Sequence, residues 1–398
     1  MHCIDELLGA LGDGAEAVLA TVVKVQGSAY RRPGARMLIP QVGDPRGTVS
    51  GGCLENEVAR KAWWLSEQGP KVVAYSTAAD EDDPLDEAAF SFGLGCNGTV
   101  FVLMERVQHD SLLMRTLRRV RDRGEACALA TVIASDGPLP VGARSVPGSE
   151  GWPQALNDQV QQGLACVLQQ GKSALRRYRG EWGEVEVFLE YLAPARRLVV
   201  FGAGHDVQPL VRMADLLGWK VTVVDGRSHF ARPERFPQAQ AVLCAQAREP
   251  LPASVQLNGA AVAVMTHSLT QDFHWLQAAL GSGAAYIGQL GPRDRTERLL
   301  ADMDAAHLPA LDRLHYPMGL DLGGDNPESV AMAILAEIAA VFNGRAGGPL
   351  KARQQGIHDV EPSVLHGAQS GVGDLGGVER ADLPVSAGAA PDLRGETA

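Results

Sequence analysis

Hydrophobic and polar residues follow different periods along this chain and divide it into three regions. Up to residue 193, short aliphatic runs alternate with stretches of helical period, which predicts an α+β domain (1–193). Residues 195–343 contain buried-type strands followed by helical stretches, the pattern of a parallel α/β sheet. Residues 344–398 lack Phe, Trp and Tyr and are rich in Gly and Ala, which predicts a disordered tail. The predicted fold class is α/β, with an α+β domain, a Rossmann-like domain and a tail.

Two stretches of the first region resemble each other, which indicates an internal duplication. Residues 19–23 are similar to 129–133, and both stretches are followed by Gly-Ala-Arg, at 34–36 and at 142–144. The paired stretches continue with a helical segment (54–68 and 156–170) and a closing strand (98–103 and 183–188). Chance similarity between two α+β segments is the alternative.

Glycine-rich loops with a cysteine occur in the first repeat and have no counterpart in the second. Gly51 and Gly52 precede Cys53 where a short strand gives way to a helix, and a helix N-terminus favours a reactive thiol. Glycines at these positions let a ligand or a partner approach the backbone closely. Gly95 and Cys96 belong to a second loop, whose backbone amides can bind an anion.

Two thiols in separate loops suit several kinds of chemistry. Sulfur transfer, redox pairing and binding of a metal–dithiolene cofactor are the functional options, and small residues in tight turns are the structural one. We name Cys53 and Cys96 as candidate metal ligands. A third loop contains Arg31, Arg32 and Arg36, which suit a phosphate or a partner carboxylate, with a solvated basic turn as the alternative.

The second region begins with the elements of a nucleotide-binding βαβ unit. A strand ends before Gly202 and Gly204, a helix follows, and the next strand ends at Asp225. The two glycines predict a phosphate-binding turn at a helix N-terminus. Asp225 lies 21 residues after Gly204, the position of a ribose-binding acid. Val207 replaces the third glycine of the fingerprint, so the motif by itself does not predict a dehydrogenase.

Further ligand candidates follow later strands of the same region. The carboxyl ends of parallel strands meet at one edge of an open sheet, and ligands bind there. His267 and Arg293 each follow a strand, and His205 and Asp206 lie in the first turn. We name all four as ligand candidates, with a structural role as the alternative for each histidine. The glycine-rich, acidic loop 317–328 is expected beside the same crevice.

Composition excludes several classes of protein. The net charge of −11 argues against a nucleic-acid binder with a basic surface. No apolar run reaches about 18 residues, so we expect no membrane contact through a spanning helix. The N-terminus lacks the features of a signal peptide, and none of the six cysteines forms a CxxC pair. We therefore predict a cytoplasmic chain with free thiols and without a closed zinc site.

A series of ordered motifs resembles the XdhC/CoxI family and extends over residues 15–342. In the N-terminal domain the motifs are 27–34, 50–55 and 93–98, and in the Rossmann-like domain they are 201–205, 265–267, 290–293 and 319–323. One departure is Pro292, where members commonly have Ser. Another is the run Arg293-Asp294-Arg295, where members have two adjacent arginines.

This resemblance implies an accessory factor for xanthine dehydrogenase and related molybdenum hydroxylases, with a place in purine catabolism. It implies that the chain binds the molybdenum cofactor (molybdopterin), protects it during sulfuration and inserts it into the apo-enzyme. The implied partners are the hydroxylase and a cysteine desulfurase that donates the sulfur.

The leading hypothesis is therefore a cofactor-binding chaperone without turnover of its own, in which the cysteine loops and the Gly202 turn share one cleft. An NAD(P)-dependent oxidoreductase with a redox-active cysteine is the alternative. A structural partner of a hydroxylase, with inert cysteines, is the third possibility. The oligomeric state stays open, with a homodimer as one candidate.

Overall fold

The structure is a computed structural model that describes residues 2–12, 15–76, 89–91, 98–303, 310–354 and 364–367. The first repeat contains β1 Glu16–Gly27, β2 Arg36–Pro40, β3 Arg46–Gly47, α2 Glu55–Leu65, β4 Lys71–Ser76, β5 Ala89–Ser91 and β6 Gly98–Gln108. The second contains β7 Cys127–Ser135, β8 Arg144–Ser145, α4 Gln154–Gln170, β9 Ala174–Gly180 and β10 Gly183–Leu192. Helix α1 (His2–Ala10) precedes the first repeat, and α3 (Leu112–Arg123) joins the two.

The two repeats build their sheets with the same strand order. The first sheet has the order β3-β2-β1-β6-β4-β5. The second has β9-β10-β7-β8, with an extra strand β17 (Val364–Gly367) parallel to β9. The series β2-β1-β6-β4 therefore corresponds to β8-β7-β10-β9, and the predicted internal duplication is confirmed.

Local details repeat as well. Gly34 N donates to Val22 O at 2.8 Å, and Gly142 N donates to Val132 O at 2.9 Å. In both repeats the residue after that valine, Val23 or Ile133, has no partner in the strand register and forms a β-bulge. The Gly-Ala-Arg stretches thus occupy equivalent places, each beside the bulge of its own repeat.

Both bulged residues lie where the two sheets pack against each other. Val23 and Ile133 form one buried cluster with Leu103 and Phe188, and each repeat contributes one residue from its bulged strand and one from the neighbouring strand. Helices α2 and α4 cover the other faces of their own sheets. The repeats therefore face each other in a pseudo-symmetric arrangement.

Two buried ion pairs join the repeats in a reciprocal way. Arg36 of the first repeat pairs with Glu190 of the second, and Arg144 of the second pairs with Glu105 of the first. These four side chains are only 4–12% exposed. A Cβ on Gly34 would lie 2.9 Å from the Glu190 carboxylate. Gly-Ala-Arg is therefore a packing motif, and Arg36 is committed to Glu190 rather than available to a phosphate.

The C-terminal region forms a third sheet in which every strand is parallel to its neighbours. Its strands are β11 Arg197–Phe201, β12 Lys220–Asp225, β13 Ala241–Cys244, β14 Ala261–Val264, β15 Tyr286–Gln289 and β16 Leu314–His315. Their order is β13-β12-β11-β14-β15-β16, the 3-2-1-4-5-6 order of a doubly wound Rossmann sheet. The predicted Rossmann-like fold is confirmed.

Helices cover both faces of this sheet. They are α5 Val207–Leu216, α6 Leu269–Leu280, α7 Arg293–Ala301 and α8 Pro327–Phe342. Helices α5 and α8 pack on one face, and α6 and α7 pack on the other. Val207, which replaces the third fingerprint glycine, is fully buried in the first of these cores.

The strand order reverses between β11 and β14, and Gly202 lies at that point. Its φ is +121°, and a Cβ there would lie 2.5 Å from the carbonyl oxygen of Met265. Any side chain at this position would clash with the neighbouring strand end, so the turn requires glycine. The crevice at which doubly wound folds bind ligands opens here.

A salt bridge joins the N-terminal domain to the opposite edge of this sheet. Asp5 of α1 lies 3.2 Å from the amine of Lys220, at the amino end of β12. The Gly202 turn lies at the carboxyl ends of the strands, and the six residues of β12 span roughly 16 Å. This contact between the domains is therefore remote from the crevice.

The predicted tail, 344–398, lies mostly outside the described residues. Within it the structure describes a short 3₁₀ helix at Leu350–Ala352 and the strand β17. None of the described helices is both long and apolar enough to cross a membrane.

The reciprocal ion pairs predict a large penalty for removing one partner. Glu190→Gln leaves Arg36 buried and uncompensated, so we expect the free energy of unfolding to fall by about 3–5 kcal/mol. Glu184→Gln, which removes the partner of Arg179 in a pair with 62% and 31% exposed side chains, is the control and should cost about 1 kcal/mol or less. Urea denaturation measures both values, and equal effects of the two substitutions would contradict this account.

Candidate functional site

Ser50 and Glu55 build the loop that presents Cys53. Ser50 Oγ donates to Glu55 Oε2 at 2.5 Å and accepts from the backbone N–H of Gly52 at 3.2 Å. Glu55 Oε1 accepts from the backbone N–H of Ser50 at 2.8 Å. These bonds satisfy donors just before α2, as capping side chains do at other helix starts. The Cys53 loop, as we call residues 49–55, is therefore held in one turn.

The thiol of Cys53 is exposed on this turn. Its Sγ lies 3.4 Å from Ser50 Oγ. The preceding Gly52 has φ +112°, and no atom lies within 4 Å of the place where a Cβ would be. Glycine is needed there for the backbone conformation, and the space beside the thiol is open. A bulky ligand can approach Cys53 from this side.

Glu55 holds the loop as an anion. Burial on its own would raise the pKa of the Glu55 carboxyl, but hydrogen bonds from Ser50 and Val49 outweigh it and lower the pKa below its usual value of 4.5. The bonds that fix the loop are therefore charge-assisted near neutral pH.

The loop between β1 and β2, residues 28–35, contains Arg31 and Arg32, and we call it the arginine loop. It packs against the Cys53 loop. Arg31 Nε donates to the Ser50 carbonyl at 3.4 Å. The Tyr30 ring lies 3.4 Å from the place where a Cβ of Gly51 would be, although Tyr30 is 72% exposed. The predicted ligand Arg32 is also exposed. The structure thus brings Arg31 onto the Cys53 loop and leaves Arg32 facing solvent beside it.

Of the motif 93–98, which contains Gly95 and Cys96, the structure describes the last residue, Gly98. A Cβ on Gly98 would lie 2.1 Å from the carbonyl oxygen of Ser28. Gly98 also pairs with Gly27 at the end of β1. Gly95 and Cys96 themselves lie outside the described residues, so their roles stay predictions.

The second group of predicted residues surrounds the Gly202 turn. We call the carboxyl edge formed by 202–206, 265–268 and 289–293 the mouth of the sheet. His267 Nε2 lies 3.7 Å from the place where a Cβ of Gly204 would be, so this histidine covers the turn. Two exposed side chains complete the group: His205 in the turn, and Arg293, whose guanidinium lies 5.1 Å from the Tyr316 ring centroid.

Asp225, the predicted ribose-binding acid, accepts four hydrogen bonds from groups of the protein itself. Its Oδ1 accepts from the backbone N–H and the Nε–H of Arg227, both at 2.9 Å. Its Oδ2 accepts from Ala203 N at 2.8 Å and from Arg227 Nη2 at 2.7 Å. A carboxylate offers about four acceptor positions, so no position is left for a ribose hydroxyl. Asp225 therefore shapes the turn, and the prediction that it binds a ligand directly is not supported by this geometry.

The charge on Asp225 is stabilised by the same contacts. Burial alone would raise its pKa, but the Arg227 side chain, the Arg227 amide and the Ala203 amide lower it below the ordinary value. The Arg227 guanidinium in turn has a raised pKa because it donates to this carboxylate. The pair is ionised throughout the physiological range.

A second buried carboxylate, Asp272 of α6, holds the remaining loops of the mouth. Thr266 donates to Asp272 Oδ1, and Gln289 Nε2 donates to Oδ2 at 3.0 Å. Arg295 of α7 donates to the same Oδ2 at 2.7 Å. Asp272 is completely buried. It therefore fixes the ends of β14 and β15 and the start of α7, which are the segments that present His267 and Arg293.

Comparison with known proteins matches both halves of the chain to one family. Residues 10–76 match the XdhC and CoxI family, and residues 198–338 match the XdhC Rossmann domain. The chain is 31% identical, over 332 residues, to a probable xanthine dehydrogenase subunit from Bacillus subtilis (strain 168). This match covers 82% of the chain and 94% of that relative.

The chain belongs to the XdhC/CoxI family. The resemblance drawn from the sequence motifs is thereby confirmed. Another relative is the molybdenum cofactor insertion chaperone PaoD of Escherichia coli (strain K12), 25% identical over 337 residues and matched over 83% of the chain and 85% of PaoD. A crystal structure of a xanthine dehydrogenase from Bacillus halodurans has a TM-score of 0.66 and 28% identity, over 88% of this chain and 98% of that one.

In this XdhC/CoxI chain the candidate residues form two groups on two domains. Among the described residues, no hydrogen bond or ion pair joins the Cys53 loop to the mouth. The Asp5–Lys220 contact lies at the far edge of the third sheet. A cleft shared by Cys53 and Gly202 therefore stays a prediction. Over the described ranges, no group of three or more His, Cys, Asp or Glu side chains is placed to hold a metal ion.

Sequence reasoning missed three residues that organise these groups. Glu55 lies within a recognised motif, but it follows Ser50 by five residues instead of the three of a capping box, so the sequence contains no standard signal of its role. Arg227 follows Asp225 by two residues, a spacing that suggests a local ion pair. Asp272 offered no local signal, because its partners come from β14, β15 and α7.

Loss of the Glu55 carboxylate should weaken the fold in a pH-dependent way. Because its folded pKa is lowered, its contribution to stability is present above pH 4.5 and is lost as the pH falls through the folded pKa. We expect Glu55→Gln to lower the free energy of unfolding by roughly 1–2 kcal/mol at pH 7, with the difference from wild type shrinking below pH 4.5.

Urea denaturation between pH 3 and 7 checks this expectation. Glu67→Gln, at an exposed position just after α2, is the matched control and should follow wild type throughout. A difference between Glu55→Gln and wild type that stays constant down to pH 3 would refute the role assigned to the carboxylate.

Proposed function

We propose that this chain is an accessory protein for the maturation of a molybdenum hydroxylase of the xanthine dehydrogenase type. In this proposal it binds the molybdenum cofactor (molybdopterin), holds it during sulfuration and inserts it into the apo-enzyme. Two relatives support the proposal, since one is named a molybdenum cofactor insertion chaperone and the other is named as part of a probable xanthine dehydrogenase.

The observation that carries the proposal is the exposed thiol of Cys53 on a fixed, glycine-lined turn. Thiolates are soft ligands that suit soft metal centres, and the open space beside Gly52 gives a bulky ligand access. The Cys53 thiol and the open space beside Gly52 therefore fit a molybdenum cofactor. When bound, the cofactor supplies the redox centre that the client enzyme needs.

In this proposal the Cys53 loop contacts the metal of the cofactor. Cys53 is the first candidate ligand and Cys96 the second. Their neighbours leave the backbone open to the ligand, and an arginine beside the loop can bind a phosphate oxygen. The residues with these supporting roles are Gly51, Gly52, Gly95 and Arg32.

In this proposal the mouth of the Rossmann-like sheet binds the phosphate end of the cofactor. The turn that contains Gly202 and Gly204 leads into α5, where the helix dipole favours negative charge. The amides of Gly202 and Ala203 donate within the protein, so the amides from Gly204 onward are the ones offered to an anion. His267 covers this turn, and His205 and Arg293 are exposed beside it, so all three can donate to a phosphate.

Two partners complete the proposal. A cysteine desulfurase donates the sulfur, and the hydroxylase receives the finished cofactor. We also propose a homodimer, because the contact between the domains in one chain lies far from the mouth and a second copy can bring its Cys53 loop there. The mass of the purified chain in solution tests the homodimer.

The geometry argues against the NAD-dependent form of the rival function, an NAD(P)-dependent oxidoreductase with a redox-active cysteine. The acid that would bind the ribose diol has no acceptor position left, and Val207 stands where the third glycine of a dinucleotide site would be. We therefore propose a carrier without turnover of its own.

Retention of molybdenum tests the proposal. The purified chain is mixed with molybdenum cofactor released from a molybdenum hydroxylase and desalted, and bound molybdenum is measured by mass spectrometry. We expect wild type to retain the cofactor and Cys53→Ser to retain at least about tenfold less, because one metal contact of at least about 1.4 kcal/mol is lost. The double variant with Cys96→Ser tests the second candidate ligand.

Cys166→Ser is the control for the loss of a thiol as such. Cys166 is a free, partly exposed cysteine on α4 of the second repeat, away from the glycine loops. It should retain the cofactor as wild type does. Equal retention by wild type and by the Cys53, Cys96 double variant would contradict the proposed site.

A further inference from the structure

Arg227 occupies the place at which a Rossmann fold meets the ribose of a nucleotide. In doubly wound folds the end of the second strand reaches the sugar next to the phosphate-binding turn. Here that strand is β12, which ends at Asp225, and Arg227 follows two residues later. Arg227 Nη2 and the amide of Ala203 donate to the same oxygen, Asp225 Oδ2. The guanidinium is therefore a neighbour of the Gly202 turn.

Aromatic stacking holds this guanidinium in place. Its central carbon lies 4.1 Å from the centroid of the Phe230 ring, within the range of cation–π contacts. Phe230 also lies 4.8 Å from Arg235, whose Nη1 donates to the Ala203 and Phe230 carbonyls. Arg235 thus fixes both the ring below Arg227 and the turn beside it.

Arg227 has donors left over after these contacts. A guanidinium has five N–H groups, and Asp225 accepts from two of them. The side chain remains 35% exposed. Asp225 neutralises one of the two arginine charges here, and the start of α5 adds positive potential. Among the described side chains, Asp206 Oδ1 is an unpartnered acceptor in the turn, 2.3 Å from the place where a Cβ of Gly204 would be. At the end of β12 itself, the acceptor positions of Asp225 are filled and the donors of Arg227 are not.

We propose that this corner of the mouth selects a nucleotide-type ligand that carries a phosphate at the ribose position, with Arg227 as its ligand. A sugar diol needs an acceptor, which the saturated Asp225 does not provide. A phosphate needs donors and positive charge, which Arg227 provides in a fixed fork. This specificity goes beyond the proposed carrier function and does not depend on it.

Two ligands that differ by one phosphate test the proposal directly. Adenosine 2′,5′-bisphosphate and AMP are titrated into the full chain by calorimetry. We expect the bisphosphate to bind roughly 10- to 100-fold more tightly, the effect of charge-assisted hydrogen bonds. Equal binding of the two, preference for AMP or no binding of either would overturn the proposal. This comparison uses the wild-type chain, so it does not depend on the folding of a variant.

A substitution then assigns the preference to one residue. Arg227→Ala removes the phosphate donor and frees two acceptor positions on Asp225, so the preference for the bisphosphate should disappear. Arg232→Ala, an exposed arginine of the same segment, is the matched control and should keep it. Arg227→Lys keeps the positive charge and should retain an intermediate preference. Equal behaviour of the Arg227→Ala and Arg232→Ala variants would overturn the role of Arg227.

Competition with the molybdenum cofactor identifies the source of the phosphate. If the cofactor displaces the bisphosphate, the phosphate belongs to the cofactor; if both bind together, the corner takes a separate nucleotide. Both results support phosphate selection. Failure of molybdenum retention would count against the carrier function alone, because the bisphosphate titration is made without the cofactor.

Discussion

The arrangement of the N-terminal domain depends on two buried ion pairs that cross between its repeats. Arg36 with Glu190 and Arg144 with Glu105 can form only when the two sheets face each other in one orientation. An unpaired charge at these positions would be costly, so the pairs specify the orientation even though a buried pair adds little net stability. Within the first repeat, β1 pairs with β6, and the ends of these strands place Ser28 and Gly98 next to each other.

The Rossmann-like domain uses buried carboxylates for the same purpose. Asp225 fixes the first turn through Ala203 and Arg227, and Asp272 fixes the later loops through Thr266 and Arg295. In both cases the carboxylate accepts hydrogen bonds from the protein itself and is not offered to a ligand. Most groups left for a ligand are donors, namely backbone amides, histidines and arginines, and Asp206 Oδ1 is an unpartnered acceptor in the first turn. This chemistry fits an anionic ligand, and it separates the domain from dehydrogenases that share its fold.

The fold was largely predictable because its signals are local. The alternation of strands and helices, the two Gly-Ala-Arg stretches and the turn at Gly202 can all be recognised within short windows. The partners of charged residues were not predictable in this way. Glu190 lies 154 residues from Arg36 in the sequence, and only the packing of two sheets brings them together. For the same reason the sequence left Arg36 open between a phosphate, a partner carboxylate and a solvated turn, whereas the structure pairs it with Glu190 between the repeats.

The central claim is that the Cys53 thiol contacts the metal of a bound molybdenum cofactor. X-ray absorption at the molybdenum edge measures this contact directly on the loaded chain. The account predicts one sulfur neighbour beyond those of the dithiolene in the wild-type spectrum, lost in Cys53→Ser and kept in Cys166→Ser. Identical metal environments in wild type and Cys53→Ser would contradict it.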